Sequence, residues 1–337
     1  MFRADVARSG VYDRSGPDSL SSLQWRYQAG DGISSTAAVW NGSVYFGSWD
    51  GTFHSIDAST GDKNWEYRTD GKISSSAAVS RGAVVFGSLD GLIYALDTET
   101  GDPLWKLRTG SEVVSSPLIS EDTVFVTGFD GYLRAINLET GEEFWRVRTE
   151  AELFSSPALL DGFLYFGGLD GILFAVDGST AQVAWSYKAD GRIFSTPSVF
   201  EGKVFFGTAA GNLYCLDGTT GEEVWSREVE GGIIGSPAVN ADTLFIGTQE
   251  GLFYCLETAD GSEAWSVDIE GEVISSPAVS GDIVYVTSID GLLLALDAGS
   301  GQLLWSYVTE DSLSSSPVIN SGMVIFGGLD GSMFALI

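Results

Sequence analysis

The chain has 337 residues, with 46 acidic against 17 basic side chains and a net charge of -29. That charge repels nucleic acid and anionic lipid at long range, and no nucleic-acid partner is expected. Apolar residues make up 44% of the chain, enough for a globular core, and no stretch approaches the roughly 20 apolar residues of a membrane-spanning helix.

In chain order, residues 1–22 read as an N-terminal arm, ahead of one domain over residues 23–337. The first strand, Leu23 to Gln28, carries Trp25. A tryptophan then recurs every 40 residues, at Trp65, Trp105, Trp145, Trp185, Trp225, Trp265 and Trp305, without one insertion. Residues 71–110 show the unit. Ile73 to Val79 makes a first strand and Ser80-Arg81-Gly82 a turn. Val84-Val85-Phe86 follows as a wholly apolar second strand. Asp90-Gly91 turns into a third strand, Leu92 to Leu96, and Thr98 to Gly101 turns into a fourth, Trp105 to Thr109. Four short strands at this period predict an all-β fold, an eight-bladed β-propeller with four antiparallel strands per blade.

The prolines order the strands. Six share one repeat position, from Pro117 and Pro157 to Pro317. Proline cannot donate to a ladder, so the first strand is an edge lining the central channel. The last unit stops after its third strand, at Phe334 to Ile337. The N-terminal strand with Trp25 therefore completes the last blade, sealing the seam of a monomeric ring. Cys215 and Cys255 share a repeat position with small residues such as Ala95 and read as buried core.

Each unit resembles the tryptophan-docking repeat of PQQ-like propellers, Ala-x-Asp-x-x-Thr-Gly-x-x-x-Trp. Ala95, Asp97, Thr100, Gly101 and Trp105 match it fully. Asn137 replaces the Asp in one unit and Ala181 the Gly in another. The segment from Met1-Phe2-Arg3 to Gly10 also looks like this family's lead-in. The resemblance implies a structural role for the eight tryptophans: the ring fills the space between blades, and Gly lets backbone approach it. The family includes quinoprotein dehydrogenases, which bind PQQ and calcium, and non-enzymatic relatives of the BamB assembly type. The long insertions and vicinal cysteine pair of the dehydrogenases are missing, so no cofactor is expected. No signal peptide is visible at Met1; the resemblance implies an extracytoplasmic setting.

The remaining polar signals read as structure. His54, the single histidine, is expected to be a half-exposed strand residue, since one histidine supplies neither a metal set nor a triad. Asp50, Asp90, Asp130, Asp170, Asp290 and Asp330 precede Gly in tight turns, which favour Asp by geometry alone. No catalytic or metal residue is assigned.

Function on equal blades should appear where the blades differ. On the face holding the second-to-third-strand turns, the residue before the acidic turn is apolar at Trp49, Leu89, Phe129 and Leu169. A second series opens the first strand: Phe154, Phe194, Ile234 and Ile274 are bulky, while Ser34, Ser74 and Ser314 are not. Two readings compete. These side chains either fill the channel mouth against each other or form a groove for a protein or peptide partner. The arm, residues 1–20, is a candidate to cover this face. The sequence therefore favours a non-enzymatic interaction scaffold, with a small PQQ- and calcium-dependent alcohol or sugar dehydrogenase as the alternative. The low share of Lys, five of the 17 basic residues, resembles surfaces of salt-loving organisms.

Overall fold

The computed structural model describes residues 3–337; Met1 and Phe2, the start of the family-like lead-in, lie outside it. The described residues form eight four-stranded antiparallel sheets and no helix. The sheets are the blades of a closed propeller. Blade 1 comprises Ala38–Trp40, Ser43–Gly47, Thr52–Asp57 and Lys63–Arg68, from channel to rim. Blades 2 to 7 repeat it. Blade 8 joins Val318–Asn320, Met323–Gly327 and Ser332–Leu336 to the N-terminal strand Leu23–Gln28, with Trp25 opposite Ala335 and Tyr27 opposite Met333. The seam is sewn further by Ser21 and Ser22, whose amides donate to the Ile337 carbonyl at 2.7 and 3.0 Å.

The tryptophans join the blades. The Trp25 indole donates to the Ala58 carbonyl of blade 1 at 2.9 Å, Trp65 to Thr98 of blade 2 at 3.0 Å, and Trp105 to Leu138 of blade 3 at 2.8 Å. Trp185, Trp225 and Trp265 repeat the bond to Gly218, Thr258 and Ala298. The turn that accepts the ring is held open by the motif. Asp57 takes the amides of Ser59 and Thr60 at 2.8 and 2.9 Å. Gly61 then sits at φ +76°, where a Cβ would come within 2.9 Å of the Trp25 ring, so glycine is required by both torsion and space. Trp305 finds its acceptor in the arm, at the Pro17 carbonyl 3.1 Å away. The Tyr285 hydroxyl donates to the same carbonyl, as Tyr165 does to Gly218. Pro17 thus does for blade 8 what a third-to-fourth-strand turn does elsewhere.

The first strands are shorter than expected. Blade 2 pairs only Ala78–Ser80, not Ile73 to Val79. The preceding residues bond sideways instead of into a ladder. The Thr36 amide donates to the Ser76 hydroxyl at 2.9 Å, and Ser76, Ser116, Ser156, Thr196, Ser236 and Ser276 each donate to the residue 40 further on, ending at Ser316. These buried hydroxyls tie neighbouring blades around the channel, each bond contributing about 1 kcal/mol. One residue type at one repeat position thereby satisfies amides that the edge strands leave over.

The arm lies elsewhere than expected. It does not cover the face holding Trp49 but lines the channel and leaves over the opposite face. The Val6, Ala7, Ser9 and Gly10 carbonyls accept the inner-strand amides of Leu159, Val199, Val239 and Val279 at 2.8, 3.0, 2.8 and 2.9 Å. Arg3 and Arg8 are buried with it. Arg8 donates to the Pro157, Ser116 and Pro117 carbonyls, and Arg3 to the Ser198 hydroxyl and the Pro237 carbonyl. Burial pushes both guanidinium groups down to about 9. The inner edge offers carbonyls in a ring, and a planar cation with several donors can satisfy more than one of them at a time.

His54 also departs from expectation: it is 3% exposed rather than half-exposed. Its ring stacks on Phe46 with centroids 4.9 Å apart. The Tyr27 hydroxyl lies 3.1 Å from Nδ1 and the Ser48 hydroxyl 3.1 Å from Nε2. Tyr27 belongs to the N-terminal strand, so the closing of the ring is what buries the imidazole. Cys215 and Cys255 are free and buried as expected, and burial pushes both thiols up to about 12.

Two predictions follow from these contacts. Ala181, at φ 56°, holds the turn position where other blades have glycine against the preceding tryptophan. Among the described residues, the Trp145 indole lacks the bond its counterparts make. Ala181→Gly should stabilise the protein by about 1 kcal/mol, the cost of a left-handed non-glycine residue, measured by urea unfolding. Burial also pushes the His54 pKa down from 6.5 to about 4, against the attraction of Asp50 and Glu66. Between those values the unfolded chain takes up a proton that the folded chain refuses, so stability falls as pH drops from 6.5 to 4, by on the order of 3 kcal/mol. His54→Phe, copying Phe174 at the equivalent position, should remove that part of the pH slope while leaving the carboxylate-driven loss below pH 4.

Candidate functional site

The face carrying the apolar departures is built from two kinds of segment. Linkers enter each blade before its inner strand, and turns join its second and third strands. Each turn is clamped to its linker by one backbone bond. The Trp49 amide donates to Gly32 at 2.9 Å, Leu89 to Lys72 at 2.9 Å, Phe129 to Glu112 at 3.1 Å and Leu169 to Glu152 at 3.0 Å. Five of the turn aspartates accept the amide two residues on, as Asp50 does from Thr52 at 2.9 Å and Asp330 from Ser332 at 2.8 Å. They serve the turns, as their position before Gly predicts. The result is a rigid face whose side chains are presented on fixed backbone.

The expected partner-binding residues divide into groups. Phe129, Phe154 and Phe194 form a continuous aromatic chain over blades 3 to 5, with centroids 6.1 and 5.3 Å apart. Phe154 is 38% exposed, and Phe129 and Phe194 are half-buried. Ile234 and Ile274 continue the series in blades 6 and 7 and are half-buried. This second series lies in the linkers, ahead of the inner strands rather than at their start. Behind each of its members sits a fully buried neighbour, Leu153, Ile193, Ile233 or Val273, which anchors the linker. Trp49 stands apart in blade 1. Its indole donates to the Ser34 hydroxyl at 2.9 Å, and the Lys72 ammonium lies 4.8 Å above its ring. Leu89 and Leu169 are half-buried in their turns. The structure therefore joins Phe129, Phe154 and Phe194 by ring contact and leaves Trp49 in a separate, partly satisfied setting.

Blade 5, which lacks a turn acid, compensates locally. Ala210 replaces it in blade 5, and Asp190 from the linker takes its place, accepting from Thr208, Asn212 and Tyr214 at 3.0, 2.5 and 2.9 Å. In blade 3, Asp130 pairs with the buried Arg134, which also reaches Glu143 at 3.3 Å. These carboxylates are committed to neighbouring protein groups. Among the described residues, no three His, Cys, Asp or Glu side chains converge to hold a metal ion. A calcium ion needs about six to eight oxygen ligands. The donors here are spread one per blade and engaged in turns, so the residues do not fit a calcium-bound quinone.

Sequence reasoning missed Trp40. It is 46% exposed at the end of the blade 1 inner strand, on the opposite face. The same repeat position holds Ser80, Ser120 and Ser280 but also Leu160 and Phe200, so the sequence marks it as variable and it is the exposure that singles out Trp40.

Comparison with known proteins agrees with this architecture. The family model described as outer membrane protein assembly factor BamB matches residues 18–91, 70–188, 129–237 and 209–336. Among solved structures, BamB from Moraxella catarrhalis superposes with a TM-score of 0.81 at 20% identity, covering 94% of this chain and 99% of that one. The computationally designed Ika8 protein gives 0.81 at 20% identity, covering 92% and 97%. A europium-containing methanol dehydrogenase gives 0.83 at 15% identity, covering 98% and 90%. At these identities the likeness is one of fold. No curated protein sequence matches the chain. The matched repeats, which run through nearly the whole sequence, place this chain in the PQQ-like propeller family represented by the outer membrane protein assembly factor BamB.

Proposed function

We propose that the protein is a non-enzymatic scaffold that docks a protein or peptide partner on the face bearing Phe129, Phe154 and Phe194. The observation that carries this reading is the aromatic chain itself. It crosses three blades on clamped backbone, is partly open to solvent, and lies outside the eight buried clusters that hold the blades together. Large apolar side chains clustered on a rigid surface mark interaction sites, and aromatic anchors dominate binding energy at such sites. Family membership supports the same reading, since BamB is named as an assembly factor. The net charge of -29 favours a partner with basic residues around its apolar contact. The alternative, a PQQ- and calcium-dependent dehydrogenase, gains no support from the donor geometry.

A photo-crosslinking side chain at position 154, compared with one at rim residue Leu104 in the source extract, tests this directly. Position 154 should give a discrete adduct, weakened about tenfold by Phe194→Glu, a change that should shift stability by under about 1 kcal/mol. Identical adducts from both positions would contradict the reading. So would dye reduction by the protein on adding PQQ and calcium.

A further inference from the structure

Every blade ends at the rim in a strand with one unpaired edge. In blade 7 that strand is Leu303–Val308, and it differs from the rest. The Thr309 amide donates to the Gly291 carbonyl at 2.8 Å, so strand alternation turns the backbone groups of Trp305 and Tyr307 into the blade. Those of Ser306 and Val308 point outward from the rim, with Leu304 one step earlier, beside the bulge. Val308 is 66% exposed, Leu303 57% and Leu304 46%. Open strand edges are normally guarded by charge, because an unpaired ladder accepts another strand. This strand carries no charged residue, and it ends in the most exposed large apolar side chain among the described residues.

We infer that two copies of the protein pair through this edge, antiparallel about a two-fold axis at Ser306. Charge specifies a second copy as the occupant. In a contact between identical strands, each residue meets either itself or the residue equally far beyond the axis. The outward backbone groups set the register: Ser306 faces Ser306 of the second copy, and Leu304 faces Val308 on either side. Like charges directly opposite one another destabilise such a pair. Blades 1, 2, 3 and 8 hold Glu66, Lys106, Arg146 and Arg26 at the central position and would set each against itself. Blades 4, 5 and 6 have Ser186, Ser226 and Ser266 there, but Lys188, Glu228 and Asp268 stand in the place of Val308. Only blade 7 offers a small neutral centre flanked by apolar residues. The acids beyond it fit the same register, since Glu310 falls opposite Gln302 and Asp311 opposite Gly301. Antiparallel pairing lays two complete rings side by side with their faces reversed. Each keeps its aromatic face open, so a partner there can be lost without losing the dimer. With six residues per copy the contact is small and transient. The charge of -29 on each copy opposes it and salt screens that repulsion, so the dimer strengthens with salt, the reverse of a contact with a basic partner.

Sedimentation equilibrium of the intact protein tests this. The mass should rise from 35.8 kDa towards twice that value with protein concentration, and the dimer should be about tenfold tighter in molar salt than at low ionic strength. Val308→Lys, which copies Lys188 of blade 4, should weaken the dimer about tenfold without moving the urea midpoint, because Val308 is exposed. Ser306→Cys should give a disulfide-linked dimer on mild oxidation, since opposed residues of a hydrogen-bonded antiparallel pair lie about 5.5 Å apart at Cα, within disulfide reach. Ser186→Cys, at the same position in blade 4, should not, and the buried Cys215 and Cys255 add little background. A monomer at every salt concentration, the result if the edge takes only a foreign strand, would overturn the inference. So would a dimer that Val308→Lys leaves intact, or cross-linking as fast through Ser186→Cys as through Ser306→Cys, either of which would place the contact elsewhere on the ring.

Discussion

The structure depends on a tryptophan ring that leaves its own blade and hydrogen-bonds a turn of the next. A four-stranded sheet has two broad apolar faces, and a lone blade could bury neither. The indole covers the gap at the outer edge while its N–H, Trp145 excepted, finds a carbonyl, so the largest apolar group brings its donor to a partner. That carbonyl sits in a turn held by one Asp and one Gly. The motif is thus a socket, and the tryptophan of the preceding blade is its plug. The hydroxyl ladder from Thr36 to Ser316 does the same work at the inner edge. Between the two, blades are fixed at rim and channel alike.

A ring of such links has one weak point, where the chain ends meet. Here the solution is redundant. The strand Leu23–Gln28 completes blade 8, Trp25 docks on blade 1, and Pro17 provides the carbonyl for Trp305. The arm then continues into the channel with two buried arginines. Closure also helps build the His54 site, since Tyr27 of the closing strand lies against blade 1. One segment therefore seals the rim, fills the channel and leaves part of the inner edge bare.

Most of this architecture was legible in the sequence because it is periodic. Spacing alone located the blades, and the missing Trp strand after Ile337 located the seam. The aromatic face was also legible, because Phe154 and Phe194 stand where other blades have serine. What escaped was what lacks a period. Arg3 and Arg8 look like surface residues in a polar arm, and only the carbonyls at and beside the inner prolines explain their burial. His54 occupies a strand position where Tyr94 and Arg134 also occur, and its burial comes from a contact between blades, with Tyr27 packing on it as Tyr67 packs on Tyr94 and Tyr187 on Tyr214. The serines of the inner ladder were visible as small residues, but their bonds run between units 40 residues apart, a partnership no local pattern reveals.

Hydrogen exchange at the seam tests the central claim most directly, that the N-terminal strand and arm make the last blade equal to the others. Amides paired between Leu23–Gln28 and Ser332–Leu336 should open only with the whole ring, at free energies within about 1 kcal/mol of those between Leu92–Asp97 and Pro103–Arg108 in blade 2. Exchange at the seam through a local opening several kcal/mol cheaper would contradict it.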